Sequence, residues 1–314
     1  MTTISFIICS HRAPASLDNA IGSILAQGML SSAELVVVNN GFPPEREREL
    51  HALLDNRISF SLACEPVPGL GFARRKGFET ANGDYFVLLD DDNTLAPGFI
   101  EGLLDVLEQI PGLGGVCPLV EPHWETQPPE WLQDFGRFCL SYNAAGRFRP
   151  QFEKRYWPPH EAKACLRPPG GGMVISRQVA AHYLEMVQDP DRIALARQPD
   201  SLVGCEDEDI FSGVTELGLG VAFSEHLKVY HHIPRVRTTP GYLIRLNYQM
   251  LRSYGVLHAM KNGSRSWGRF GSALTEFARN LSSHAITLAR GEEPPQRFFL
   301  EIIRAAGFFV GRIS

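Results

Sequence analysis

Residues 85–95 read YFVLLDDDNTL. A short, unbroken apolar run is what a strand buried on both faces of a parallel sheet requires. In an open α/β sheet the ligand crevice lies just beyond the carboxyl ends of such strands. Asp90, Asp91 and Asp92 stand at that place, and three adjacent like charges repel one another unless a cation neutralises them. Hard oxygen ligands select Mg²⁺ or Mn²⁺, bound through one or two carboxylates with substrate phosphates completing the shell. Strand alternation turns Asp90 and Asp92 the same way, which makes them the candidate metal pair. The plainer reading, Asp92 or Asn93 capping a helix that starts near Pro97, explains one of these residues and not three.

Upstream of this run, short β-rich segments alternate with helical patterns, the signature of a mostly parallel sheet with crossover helices. ISFIICS (4–10), ELVVVNN (34–40) and RISFSLA (57–63) read as strands. SLDNAIGSILAQ (16–27) and GFARRKGFETAN (71–82) read as helices, and PGFIEGLLDVLEQI (97–110) as a third opened by Pro97. From 121 to 169 the periodicity vanishes and proline and tryptophan accumulate, as in a long irregular insertion serving as a lid or acceptor loop. Order returns with a strand and helix over GGGMVISRQVAAHYLEMV (170–187), a helix over CEDEDIFSGVTELGLG (205–220) and a strand over VAFSEHLKVYHH (221–232). Helices are expected at 241–260, 268–290 and 296–310. The expected organisation is therefore an α/β catalytic domain over 1–235 and a helical C-terminal extension over 236–314.

The chain has 314 residues and a net charge of −5, enough for one large core, with nothing suggesting disorder. Its six cysteines are scattered without metal-type spacing and read as free thiols of a reducing compartment. With no leader pattern and no apolar run of spanning length, the expected location is the cytoplasm. No acidic residue falls between Glu225 and Glu276, while eight lysines and arginines do. That segment either presents positive potential to phosphates or an anionic membrane, or balances the acidic middle of the chain.

ISFIICSHR, ELVVVNNG, GLGFARRKGFETANGDYFVLLDDDN, PGGGMVISR and CEDEDIF occur in an order and spacing that resemble the family 2 glycosyltransferases of the GT-A fold. The resemblance covers about residues 3–235. It implies a single Rossmann-like sheet flanked by helices and an inverting transfer from a nucleotide-diphospho-sugar to a saccharide or lipid-linked acceptor, without nucleic acid. It further implies that Asp90 and Asp92 hold the metal and the ribose. Asp91 and Ser10, at the end of strand one, are donor-site candidates beside them. Asn39 stands where the family carries an acidic residue that contacts the base or ribose. Arg74, at the start of the helix of the family's A-R-N-x-G pattern, suits a diphosphate by charge and by the helix's unpaired N–H groups. Gly171 and Gly172 fall in the segment that lines the donor-sugar and acceptor site.

Inverting transfer needs a carboxylate to accept the acceptor hydroxyl's proton. The resemblance places it in the E-D pair within EDED. Helical geometry votes independently: with the apolar stripe Ile210, Phe211, Val214 and Leu217, Asp207 lies about 30° from its centre, Glu206 about 70°, and Glu208 and Asp209 about 130°. Asp207 is thus the expected base, Glu206 its neighbour and acceptor contact, and Glu208 and Asp209 should face water.

His231 and His232 end a strand on opposite faces, and one of them is a candidate metal or diphosphate ligand. Trp124, Trp131 and Trp157 can stack on sugars or anchor the insertion. The basic helix TPGYLIRLNYQMLRSYG and the apolar QRFFLEIIRAAGFFVGR can lie on the inner face of a membrane or pack on the catalytic domain. LLDDDNTL also matches the D-x-D-x-T of haloacid-dehalogenase-like phosphatases, with Asp90 as nucleophile, but three strand-like runs precede it where that motif opens the first strand. A non-catalytic carbohydrate- or nucleotide-binding module is the remaining alternative.

Overall fold

The computed structural model describes residues 2–132, 140, 156–164, 169–198, 201–261, 275, 278–279, 282–291 and 295–313. Most of the expected insertion and much of the expected 268–290 helix therefore lie outside the described residues.

The amino-terminal half holds the expected elements and one unexpected helix, α2: β1 (Ile4–Ser10), α1 (Ser16–Leu25), β2 (Ala33–Asn39), α2 (Pro44–Leu54), β3 (Ser59–Cys64), α3 (Leu70–Thr80) and β4 (Tyr85–Leu88). β5 (Asn93–Leu95), α4 (Phe99–Gln109), β6 (Leu113–Trp124) and β7 (Tyr156–Trp157) follow. The chain continues through β8 (Met173–Ser176), α5 (Arg177–Met186), the single turn α6 (Pro190–Ile193), α7 (Glu206–Glu216), β9 (Gly220–Ile233), α8 (Pro240–Lys261) and α9 (Pro295–Ile313).

One sheet runs β3-β2-β1-β4-β8-β6-β9-β5, with β7 on β9. β3, β2, β1 and β4 are parallel. Beyond β4 the sheet is mixed: β8 is antiparallel to both neighbours, β6 and β9 are parallel, and β5 is antiparallel to β9. The α/β class holds, with a continuous parallel half, β3-β2-β1-β4, and a mixed half that keeps one parallel pair, β6 with β9.

The alternating strand faces serve two cores. On β1, Ile4, Phe6 and Ile8 join the layer with α1 and α4, whereas Ile7 faces α3, α5 and α7. The close approach of α3 to β1 needs Gly77, where a Cβ would come within 2.6 Å of Ile7.

β6 is a strand that sequence reasoning passed over, and it runs to Trp124, four residues into the expected insertion. Its Gly114 and Gly115 read as chain breakers, but both are packing requirements. A Cβ on either would meet Leu219 or Phe211 at 2.6 Å.

The C-terminal helices pack on the rest of the chain. Leu243 and Leu246 of α8 and Leu300 of α9 are buried in the larger core. α8 and α9 touch backbone to backbone: a Cβ on Gly255 would lie 2.3 Å from the Phe308 carbonyl oxygen, and one on Gly307 2.4 Å from that of Tyr248. Among the described residues no helix is long and apolar enough to cross a membrane.

Candidate active site

A cleft of about 330 Å³ opens at the carboxyl ends of β1, β2 and β4, where the strand order reverses. Cys9 and Ser10 of β1, His11 just after it, Asn40 after β2, and Arg74 of α3 form one wall. Asp90, Asp91 and Asp92 lie in the turn between β4 and β5 on its floor. Gly170, Arg197, Glu206, Asp207, His231 and Arg237 face them, and Tyr242 and Met250 of α8 close one end. The C-terminal helix therefore contributes to the same cleft.

The aspartates are held apart by different partners. Arg74 is 4% exposed in its side chain; Nη1 donates to Glu206 Oε1 at 2.9 Å and Nη2 lies 3.5 Å from Asp90 Oδ1. One guanidinium thus ties the D-x-D turn to the start of α7. Ser10 Oγ donates to Asp91 Oδ2. Burial pushes the Asp91 carboxyl up to about 6; Ser10 opposes this, and Asp92 and Asp90 add to it. Asp92 meets Arg237 Nη2 at 2.9 Å and His231 Nε2 at 3.6 Å. Burial works to raise its pKa, but pairing with the Arg237 guanidinium opposes this, and the balance holds the carboxyl well below the usual carboxylate range.

On the opposite wall, Glu206 is 5% exposed. Burial raises it to about 7 against the pull of Arg74, with Asp207 pushing further up. Asp207 is half-buried; its Oδ1 accepts the Glu208 N–H at 2.8 Å, and burial raises its pKa as well. Gly170 keeps the space in front of it open, since a Cβ there would sit 3.3 Å from Asp207 Oδ2 and 3.4 Å from Arg74 Nη2. Cys9 is no competing nucleophile, because burial pushes its thiol up to about 12.

Several expectations are corrected. Asp209 does not face water: it is 1% exposed and pairs with Arg192 at 3.2 Å and Lys261 at 3.5 Å. Those partners come from α6 and α8 and bury what the helical period places outside. Asn39 does not line the cleft; its side-chain oxygen accepts the Gly41 and Phe42 N–H groups and its amide donates to Glu47, so Asn40 takes the lining position. Gly170, rather than Gly171 or Gly172, faces the cleft. Gly171 presses on Asn93 and Asp90, and Gly172, at φ +88°, packs on Val229. His231 reaches the cleft, while His232 turns to Thr94 Oγ1 at 3.1 Å and stacks edge-on against His123. Trp157 is buried in the core.

Arg197 and Arg237 line the cleft without having been singled out from the sequence. Arg237 was visible only as one member of the basic run. Three members of that run serve internal charge balance: Lys228 pairs with Glu121, Arg237 with Asp92, and Lys261 with Asp209.

A profile of glycosyl transferase family 2 matches residues 5–166, more than half of the chain. The chain belongs to this family. It is a glycosyltransferase, and the match, together with three strands preceding the aspartates, sets aside the phosphatase reading. A glucosyl-dolichyl phosphate glucuronosyltransferase of Haloferax volcanii is 29% identical over 133 residues, 42% of each chain, so the matched stretch is under half of that relative. The succinoglycan biosynthesis protein ExoM of Rhizobium meliloti is 24% identical over 260 residues, 81% of this chain and 74% of that one. Among solved structures, S. aureus TarS 1–349 in complex with UDP-GlcNAc aligns at a TM-score of 0.54 and 11% identity, covering 81% of this chain and 66% of TarS. GalNAc-T7 with UDP, GalNAc and Mn²⁺ aligns at 0.55 and 16%, covering 82% and 49%. At those identities the structures establish the GT-A fold.

Among the described residues no three His, Cys, Asp or Glu side chains close into a metal cage. Two of the candidate donors, Asp92 Oδ2 and His231 Nε2, lie 3.6 Å apart, and a hard cation can take as few as one or two protein ligands with substrate phosphates in its other positions. His231 is 3% exposed and its Nδ1 has no partner. Five carboxylates against three guanidiniums line the cleft.

Proposed function

We propose that this glycosyltransferase inverts the anomeric centre of a nucleotide-diphospho-sugar in a divalent-metal-dependent transfer to an acceptor hydroxyl. The observation that carries the reading is the Asp207 carboxylate, lining the cleft together with Asp90, Asp91 and Asp92, with Arg74 linking Asp90 to the adjoining Glu206. Ser10 and the α3 amino terminus offer polar groups to the nucleoside and diphosphate, and Asn40 braces that wall through the Glu65 and Val67 carbonyls and the Gly69 N–H. Asp207 takes the acceptor proton as the acceptor oxygen bonds to the anomeric carbon, and the bond from that carbon to the diphosphate oxygen breaks with its electron pair leaving on the nucleoside diphosphate. Mn²⁺ or Mg²⁺, held by Asp92 with Asp90 and His231, would supply charge neutralisation for that leaving group. Glu206, fixed by Arg74, holds the electrostatic environment of Asp207.

Both named relatives act in polysaccharide or glycolipid synthesis, which supports a saccharide or lipid-linked acceptor here. Arg245, Tyr248 and Arg252 form an exposed stripe on α8, and Phe299 of α9 is 49% exposed. They suit a peripheral contact on the inner, cytoplasmic face of a membrane.

The deciding measurement is thermal stabilisation by a panel of nucleoside diphosphates with and without Mn²⁺. One nucleotide should raise Tm only with the ion, by an increment equivalent to about 2.7 kcal/mol at a hundredfold excess over Kd. Asp92→Ala should abolish that shift, and no metal-dependent shift with any nucleotide would refute the donor assignment.

The pH profile gives a second test. Asp207 must be ionised to accept a proton, and its pKa is raised. Activity is therefore present above that pKa and lost as pH falls through it. The acid limb of kcat/KM should lie above the ordinary carboxylate range and belong to the Glu206–Asp207 pair jointly. A limb at the usual aspartate pKa would argue against Asp207.

A further inference from the structure

Three arginines line the cleft, and they are held differently. Both terminal nitrogens of Arg74 face carboxylates, and its side chain is 4% exposed. Arg197 stands on the far wall beside Glu206, and its backbone oxygen accepts the Leu70 N–H at 2.8 Å. Arg237 stands on a 3-10 turn, Arg235–Thr238, bounded by Pro234 and Pro240 immediately after β9. Its side chain is 26% exposed, so the head reaches the open cleft.

The guanidinium of Arg237 bridges the two donors that the open metal site would use. Nη2 meets Asp92 Oδ2 at 2.9 Å and Nη1 donates to His231 Nε2 at 3.1 Å. Those donors are 3.6 Å apart, close to the roughly 3 Å that separates neighbouring ligands of one octahedral Mg²⁺-sized ion. Accepting a hydrogen bond at Nε2 requires the lone pair there and places the ring proton on the buried, unpartnered Nδ1. Arg237 therefore caps a carboxylate lone pair and an imidazole lone pair, the two groups a divalent cation needs, and a cation cannot take both while the guanidinium stays.

We propose, resting on the donor-site reading above, that Arg237 is an exchangeable counter-ion: it holds Asp92 and His231 in the free enzyme, yields them to the divalent cation, and passes to the donor's diphosphate. The planar fork that spans Asp92 and His231 is the shape that pairs with two phosphate oxygens. Its release on one side of the exchange matches its new partner on the other, so cation and diphosphate bind cooperatively. Neither ligand alone obtains the full site: the cation alone must displace a guanidinium left without an anion, and the diphosphate alone enters a cleft with surplus negative charge.

The test uses the full-length chain and two simple probes, Mn²⁺ alone and inorganic pyrophosphate, with free Mn²⁺ followed by electron paramagnetic resonance and pyrophosphate by calorimetry. In wild type, each probe should tighten the other by about 5-fold to 150-fold, the usual range of coupling between sites. Arg237→Gln should bind Mn²⁺ alone about tenfold more tightly than wild type, should bind pyrophosphate in the presence of Mn²⁺ at least tenfold more weakly, and should lose most of the coupling. Arg237→Lys, which keeps the charge and loses the fork, should restore part of the pyrophosphate affinity, and the Tm of both variants controls for folding. Arg237→Gln binding both probes as wild type does, or weakening both together, would overturn this inference alone. Wild type binding pyrophosphate in neither condition would overturn it together with the donor-site reading.

Discussion

Asp207→Asn is expected to lower kcat by about 10²-fold to 10⁴-fold while leaving the fold and nucleotide binding intact. The amide has the same shape and keeps the oxygen that accepts the Glu208 N–H, so the start of α7 need not move. What is lost is the proton acceptor, and with it the acid limb of the pH profile. Replacing a half-buried carboxylate whose charge burial disfavours should leave Tm unchanged or slightly raised. The pairing of a stable protein with lost turnover identifies a base; a parallel loss of Tm would identify a structural residue instead. Glu206→Gln is the informative companion. Glu206 lines the cleft but is only 5% exposed and tied to Arg74, so its loss should act on Asp207 and Asp90 through Arg74 and cost less turnover. An Asp207→Asn enzyme of full activity would transfer the role to another carboxylate.

Much of this cleft was legible before the structure because its members sit at strand and helix ends, where local pattern is informative. The run through Leu88 followed by three aspartates located the floor, and the helical period brought Asp207 inward. Most of the misses come from partners distant in sequence, and one from a local turn. Asp209 is inside because Arg192 and Lys261, distant in sequence, bring it counter-charges, and a single-helix wheel has no knowledge of them. Asn39 serves a turn instead of a ligand because its carbonyl oxygen is the nearest acceptor for two N–H groups left open as the chain leaves β2. Arg237 lies 145 positions beyond Asp92 in the chain, and only the antiparallel pairing of Asn93 with His231 brings the two ends together. β6 was hidden by glycines and prolines whose cause is tertiary. Gly114 and Gly115 make room for Leu219 and Phe211, and Pro118 sits at the register shift against β9.

The same long-range pairing explains why one side chain should matter to stability as much as to chemistry. Arg74→Met is expected to destabilise the protein by about 3–5 kcal/mol, the cost of removing one partner of a buried ion pair. Arg74 and Glu206 are 4% and 6% exposed in their side chains. Glu206 is thereby left without a counter-charge, beside Asp207, in a site that water reaches poorly. Protonation limits the penalty and makes it depend on pH. Burial already raises Glu206 from its ordinary 4.5 to about 7, with Arg74 the chief opposing influence. A carboxyl whose folded pKa lies above its unfolded value binds more protons when folded, so stability is greatest below 4.5 and declines as pH rises towards the folded pKa. Without Arg74 that pKa rises further and the decline continues past neutrality. The variant's deficit in Tm should accordingly be larger at about pH 8 than at about pH 6. Arg74→Met combined with Glu206→Leu should recover most of the lost stability, since replacing both members of a buried pair by apolar groups is often neutral, yet it should recover no transfer activity, because the D-x-D turn would still lack its link to α7. A double variant as unstable as Arg74→Met alone would place the energetic weight on the Arg74–Asp90 contact instead.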